Sequence, residues 1–279
     1  LENAMETSSS MKARGYGLKG RTNFSLFRFY AKDGVMLAVC AVLLLAIVIV
    51  ETVFIKKDIT VFGAMGKEKP IYSVDTDENK VAISFDAAWG ADNTRRLMDI
   101  CDSYNVKATF FLVGFWIEKY PEMVKEINDR GFEIGNHSEN HPEMSKLTKE
   151  QMIKEIESVN NRVETLTGKR PKVFRPPYGD YNDTLVLTLK ELNMNPVQWS
   201  IDSLDWKELG KEALVNRVLK SVKNGDIILC HNNAKYTPDA LPEILETLQQ
   251  RGFTVCPVSE VIYGENYSVD MQGVQHKLP

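Results

Sequence analysis

The sequence predicts an α/β fold, a parallel sheet curled into an incomplete βα barrel, behind one N-terminal membrane-spanning helix. Three observations carry that expectation. From about residue 71 to 267 short apolar runs alternate with amphipathic stretches, as strands alternate with helices in a parallel sheet. Ionisable residues stand at the ends of several of those runs, where a βα barrel gathers its active site. Residues 35–50, VMLAVCAVLLLAIVIV, carry no charge.

Roughly 20 apolar residues are needed to cross a bilayer, and residues 35–55 meet that length with Glu51 near one interface. A buried core helix would rarely be so uniform. A cleaved signal peptide would show an A-x-A-like site after the run, and none follows. Lys12, Arg14, Lys19, Arg21, Arg28 and Lys32 precede the span, and Lys56, Lys57, Lys67 and Lys69 follow it. The two sides nearly balance close to the span, but the leading segment is short, so its charges count fully. The N-terminus is therefore expected inside the cell membrane and the large domain outside, on a single pass. Residues 1–34 read as a basic cytoplasmic tail, whose opening LENAMETSSS is unstructured or cloning-derived. Residues 56–70 read as a linker, 71–267 as one domain and 268–279 as a C-terminal tail.

The expected strands are Val81–Asp86, Ala108–Val113, Phe132–His137, Val173–Arg175, Val197–Asp202, Ile227–His231 and Phe253–Val258. Between them the helical candidates are Asp92–Tyr104, Ile117–Arg130, Lys149–Thr167, Asp183–Leu192, Lys211–Lys223 and Ala240–Arg251. Thr148 and Gln151 make a capping box for the third. Gly131, Gly168, Gly225 and Gly252 stand just past helix ends, where a left-handed residue is wanted. A formal net charge of -4 argues against a nucleic-acid partner, whose binders look basic. Cys40, Cys101, Cys230 and Cys256 show no metal-binding spacing. The last three read as buried free thiols, with one disulfide as the alternative.

Asp86, His137, Arg175, Asp202 and His231 each end, or nearly end, an apolar run. His137 and His141 lie at i and i+4 in HSENH, and on a helical turn they chelate one cation. Imidazoles suit zinc, cobalt, nickel or iron better than magnesium. Asp86 reads as a general base, a metal ligand or the cap of an Asx turn. RPPYG, residues 175–179, is a stiff loop that fixes an arginine or a backbone N–H. DSLDW, residues 202–206, sets carboxylates beside an aromatic plate suited to a sugar. His231 in LCH stands where a general acid is needed.

In this order the segments Ser84-Phe85-Asp86-Ala87, HSENH, RPPYG, DSLDW and LCH closely resemble the five motifs of the NodB-type polysaccharide deacetylases, carbohydrate esterase family 4. The resemblance spans about Lys80 to Val261 and implies a distorted (β/α)7 barrel. The anchor and the segment Phe85–Gly90 look most like the membrane-anchored, sporulation-associated branch. It further implies an amide hydrolase that removes N-acetyl groups from cell-wall amino sugars, peptidoglycan or another N-acetylated glycan, with a divalent metal, zinc first and cobalt or nickel after it. Asp86 then matches the base, His231 the acid, and His137 and His141 the histidine ligands. Arg175 matches the residue that holds the base, Asp205 the partner of His231, and the Tyr178 N–H an oxyanion donor. Trp206 and Leu229 match walls of the acetyl pocket, with Pro177 a further substrate contact.

One position departs. Family members with the usual metal triad carry a second Asp directly after the base, and here it is Ala87. Two protein ligands remain where a catalytic zinc usually has three. Asp86 itself or Asp92 is the candidate third ligand, and weak metal binding, or a sugar-binding pseudoenzyme without metal, is the alternative expectation.

Overall fold

The structure, a computed structural model, describes residues 68–278. The expected tail and anchor, and most of the linker, lie outside them. Among the described residues no helix is long and apolar enough to cross a membrane.

In chain order the strands are β1 (Ser73–Val74), β2 (Lys80–Ala87), β3 (Thr109–Leu112), β4 (Glu133–Asn136), β5 (Val173–Phe174), β6 (Asn195–Pro196), β7 (Ile201–Asp202), β8 (Ile227–His231), β9 (Thr254–Cys256), β10 (Tyr267–Val269) and β11 (Val274–Lys277). The helices are α1 (Thr94–Ser103), α2 (Gly114–Lys119), α3 (Pro121–Asp129), α4 (Lys149–Thr167), α5 (Asp183–Glu191), α6 (Lys211–Leu219), α7 (Thr237–Gln250) and α8 (Val258–Val261).

The main sheet runs β6-β5-β4-β3-β2-β8-β7, all parallel, with β9 beside the start of β2. Its two edges, β6 and β7, are neighbours in sequence. An extended chain covers at most about 3.6 Å per residue, so the step from Pro196 to Ile201 spans no more than about 18 Å. A flat seven-stranded sheet would hold its edges farther apart, so the sheet curls into a half-barrel. This is why the expected strand Val197–Asp202 is broken. Gln198 and its neighbours cross between the edges, and the Gln198 N–H donates to the Ile71 carbonyl in an isolated parallel bridge centred on Val197.

β2 lies at the centre of the sheet, buried from Val81 to Ala87. Val81, Ile83, Phe85 and Ala87 pack outward against Leu97 and Met98 of α1 and Leu241 and Leu245 of α7. Ser84 and Asp86 point the other way, as the strand's period of two requires. The helix expected over Ile117–Arg130 is two helices. Pro121 disfavours helical backbone at Tyr120, which sits at φ −130° and ψ 53°, and starts α3. α4 has the expected bounds, with the Thr148–Gln151 box made in both directions and Gly168 left-handed behind it. Gly225 caps nothing, because α6 ends at Leu219. A Cβ there would overlap the Val74 carbonyl, so the glycine permits a close crossing.

Residues 268–279, expected as a tail, contribute β11. It pairs with β1 and β10 in a separate three-stranded sheet. Cys101, Cys230 and Cys256 are buried free thiols.

Candidate active site

A cleft of about 740 Å³ opens at the C-terminal ends of the strands, within the range of small-ligand sites. Asp86, His137, His141, Asp205, Leu229 and His231 line it, together with Tyr178, Trp206 and Asp202.

Asp86 is almost wholly buried near the end of β2, and Arg175 is wholly buried behind it. Arg175 Nη1 donates to Asp86 Oδ1 at 2.7 Å and to Ser84 Oγ at 2.8 Å, and Nη2 donates to the Gln198 carbonyl at 3.0 Å. Phe111 places its ring 4.1 Å from the guanidinium, an aromatic face well suited to a cation. Burial acts to raise the Asp86 carboxyl. The Arg175 guanidinium foremost, with the imidazoles of His137 and His231 beside it, outweighs it and holds the group below the ordinary carboxylate range.

Across the β2–β8 pairing, Asp86 sits in register with His231. His231 Nδ1 bonds Asp205 Oδ1 at 2.7 Å, and its backbone N–H donates to Asp205 Oδ2 at 2.8 Å. Thr237 Oγ donates to that same Oδ2 at 2.7 Å. With Nδ1–H on the carboxylate, Nε2 is the nitrogen left for the cleft. Burial alone would lower His231, but the bond and the charge of Asp205 raise it above its ordinary value. The same cleft thus holds a carboxylate pushed towards its ionised form and an imidazole pushed towards its protonated form.

His137 and His141 meet, with ring centroids 5.0 Å apart, but not on a helical turn. Ser138 and His141 both adopt positive φ, 67° and 56°. The loop is fixed by side chains: Asn136 Oδ1 accepts from the Ser138 N–H, and Ser138 Oγ from the His141 N–H. Asn136 is held in turn by Asn160. His137 Nδ1 bonds the Arg175 carbonyl at 2.7 Å, which leaves Nε2 3.6 Å from Asp86 Oδ2. His141 Nδ1 is buried without a hydrogen-bond partner. Burial pushes both imidazoles down, His141 to about 4, so both are neutral donors at neutral pH.

This donor set fits a cation held by two imidazoles, with the outer oxygen of Asp86 at hand. Among the described residues no cluster of three or more ligand-type side chains is present. Ala87, at the third ligand's position in the sequence, is wholly buried in the apolar cluster facing the helices. Asp92 is exposed in the turn before α1 and does not line the cleft, so it is not the substitute.

Trp206 and Leu229 line the cleft as expected, whereas Pro177 is buried outside its lining and acts as a stiffener. Tyr178, beside it, holds φ 59° and is 68% exposed. Ser84, Gln198 and Thr237 were not singled out by sequence. Only Ser84 carried a usable signal, its i−2 spacing from Asp86 on a strand.

A family model described as polysaccharide deacetylase matches residues 73–197. The chain is 36% identical over 196 residues to a peptidoglycan-N-acetylglucosamine deacetylase of Bacillus cereus, covering 68% of this chain and 92% of that protein. It is 34% identical over 194 residues to the uncharacterized protein YlxY of Bacillus subtilis, covering 70% of this chain but only 60% of that relative's length. Among solved structures, a CE4 family pseudoenzyme from Bacillus anthracis matches with a TM-score of 0.68 at 30% identity, over 74% of this chain and 72% of that one. A mutant of that pseudoenzyme with restored enzymatic activity matches with a TM-score of 0.68 at 31% identity, over 70% of this chain and 71% of that one.

Proposed function

The chain belongs to the polysaccharide deacetylases of carbohydrate esterase family 4, and on that premise we propose that it hydrolyses the N-acetyl group of peptidoglycan amino sugars, N-acetylglucosamine or N-acetylmuramic acid. The observation that carries this reading is the pair Asp86 and His231. They stand in register on adjacent strands, and their neighbours push the two protonation states apart in the sense a base and an acid require.

In this reading Asp86, oriented by Arg175, takes a proton from the attacking water as the water oxygen bonds the acetyl carbonyl carbon. His231 gives its proton to the amide nitrogen as the C–N bond breaks, releasing acetate and the free amine. Asp205 accepts the Nδ1–H of His231 and stabilises the doubly protonated imidazolium, whose Nε2–H is the proton transferred. The Tyr178 N–H faces the developing oxyanion, and Trp206 and Leu229 enclose the acetyl methyl. His137 and His141 are the residues that would hold a divalent cation, zinc in this reading, and when bound it would supply carbonyl polarisation and a more acidic water. Residues 35–55 anchor the domain on the outer face of the cell membrane, and the Phe85–Gly90 segment points to the sporulation-associated branch.

A glycan-binding pseudoenzyme is the second reading, favoured by Ala87 and the two-imidazole donor set. Two measurements separate the readings. Acetate release from peptidoglycan and chitooligosaccharides by the full chain, rising with added zinc, supports the enzyme; no release at any metal concentration overturns it. Calorimetric zinc titration of Ala87→Asp should show tighter binding than the parent. The new carboxylate enters an apolar site and is tolerated best where it reaches a cation. Equal, tight affinity in both chains would mean that Asp86 already completes the site, and no affinity in either sinks the metal part of the reading.

A further inference from the structure

Trp89 has no role in the chemistry above, yet it lines the same cleft and is 65% exposed, beside the exposed Tyr178 and Trp206. Clustered large apolar side chains left open to water mark a surface that meets a ligand. The exposure is not that of a loose loop. The carbonyl of the next residue, Gly90, accepts from Trp116 Nε1 at 2.7 Å and from Asn232 Nδ2 at 2.9 Å. Asn232 Nδ2 also bonds Thr94 Oγ at 2.9 Å. Gly90 itself holds φ +71°, and a Cβ there would run into the Asn233 side chain. The turn after β2 is thus pinned to α1, α2 and the loop after β8, and Trp89 leaves it from a fixed backbone. Its indole meets the His141 ring edge-on at 5.0 Å and 66°, with Phe115 at 6.2 Å. These neighbours set the ring's orientation, and most of its surface stays open.

We propose that Trp89 is a stacking platform for a pyranose ring of the glycan next to the residue being deacetylated, so that the cleft recognises a chain of sugars rather than a single one. The C–H face of a pyranose carries slight positive charge and packs on the negative face of an indole. A platform already held in place loses little freedom on binding. Trp206, on DSLDW, is read above as a wall of the acetyl pocket, whereas Trp89 packs on His141 from the turn after β2, on a different element of the same cleft. This inference rests on the reading of the cleft as an N-acetyl-glycan site.

The test is calorimetric binding of N-acetylglucosamine and of its β-linked tetrasaccharide to the full chain carrying Asp86→Asn, which slows turnover. Trp89→Ala in that background should weaken the tetrasaccharide about tenfold and leave the monosaccharide unchanged, with Trp89→Phe in between. Equal tetrasaccharide affinity in parent and Trp89→Ala overturns the platform. An equal loss on both sugars also overturns it, because Trp89 then acts only through His141. If Trp89→Ala does not fold, the Trp89→Phe variant with both sugars decides in the same way. A parent chain that binds neither sugar refutes the glycan reading of the cleft itself, and the platform with it, and that result is distinct from loss in the variant alone.

Discussion

Among the described residues His231 and His276 each hydrogen-bond a carboxylate through a ring nitrogen, one in the cleft and one on the surface. His231 bonds Asp205, whose side chain is 0% exposed, at 2.7 Å. His276, on the small sheet, lies 3.0 Å from both Asp75 and Asp270, which are 70% and 35% exposed. Each imidazole is raised above its ordinary value, His231 against the pull of burial and His276 chiefly by its bond to Asp270. The partners are the same, but the surroundings differ. Asp205 is out of water and fixed by Thr237 and the His231 backbone, so its charge acts on His231 with little screening. Asp75 and Asp270 act through solvent, where salt weakens them and the gain is small. The same side-chain chemistry makes the proposed acid in the cleft and a clasp for the C-terminal hairpin on the surface.

The largest effect expected is at Asp86, the proposed base in register with His231. Asp86→Asn should lower kcat about 10²–10⁴-fold, the usual share of a general base, while the amide keeps a hydrogen bond to Arg175 and the circular dichroism stays native. Unchanged acetate release would remove Asp86 from the mechanism.

Arg175→Leu should act on stability as well as rate. It leaves a buried carboxylate without its main counter-charge, a loss of about 3–5 kcal/mol in denaturant unfolding. Asp86 would rise, so the acidic limb of the pH–rate profile should move to higher pH. An unmoved limb would show that Arg175 is not what holds Asp86 ionised.

Asp205→Asn sharpens the comparison directly. Asp205 is what raises His231, so its removal lowers that imidazole, and the alkaline limb of kcat/KM should shift to lower pH. Activity at neutral pH should fall by about tenfold or more. If the limb stays in place, His231 is not the acid.

The smallest effect belongs to the surface pair. The folded-state value of His276 lies above the unfolded value of about 6.5. Its contribution is therefore complete below that unfolded value and is lost as pH rises through the folded one. His276→Gln should lower the stability slightly, by less than about 1 kcal/mol, seen as a small drop in melting temperature at low pH and low salt only, with deacetylation untouched. A loss that persists in high salt would place this clasp closer in kind to the cleft pair.

Much of the frame was legible in the chain. α4 and its capping box stand where the apolar period and the Thr148–Gln151 spacing put them, because caps and periodicity are local. Asp86, Arg175 and His231 could be picked out because an ionisable residue closing an apolar run is visible in one dimension. The break of Ile117–Arg130 at Pro121 was open to the same reading, since proline restricts the residue before it. The crossing at Val197–Ser200 was not, because it follows from the curl of the whole sheet.

The sequence by itself determined the central strands, most of the helices and which ionisable groups close the strands, through contacts within a few positions of each residue. Only the tertiary structure decided that Arg175 reaches Asp86 across 89 residues and Asp205 reaches His231 across 26. It also decided that two positive-φ residues, not a helical turn, bring His137 to His141. Protonation state depends on burial and on charges carried in by distant segments, and those exist only once the sheet has curled and closed the cleft around them.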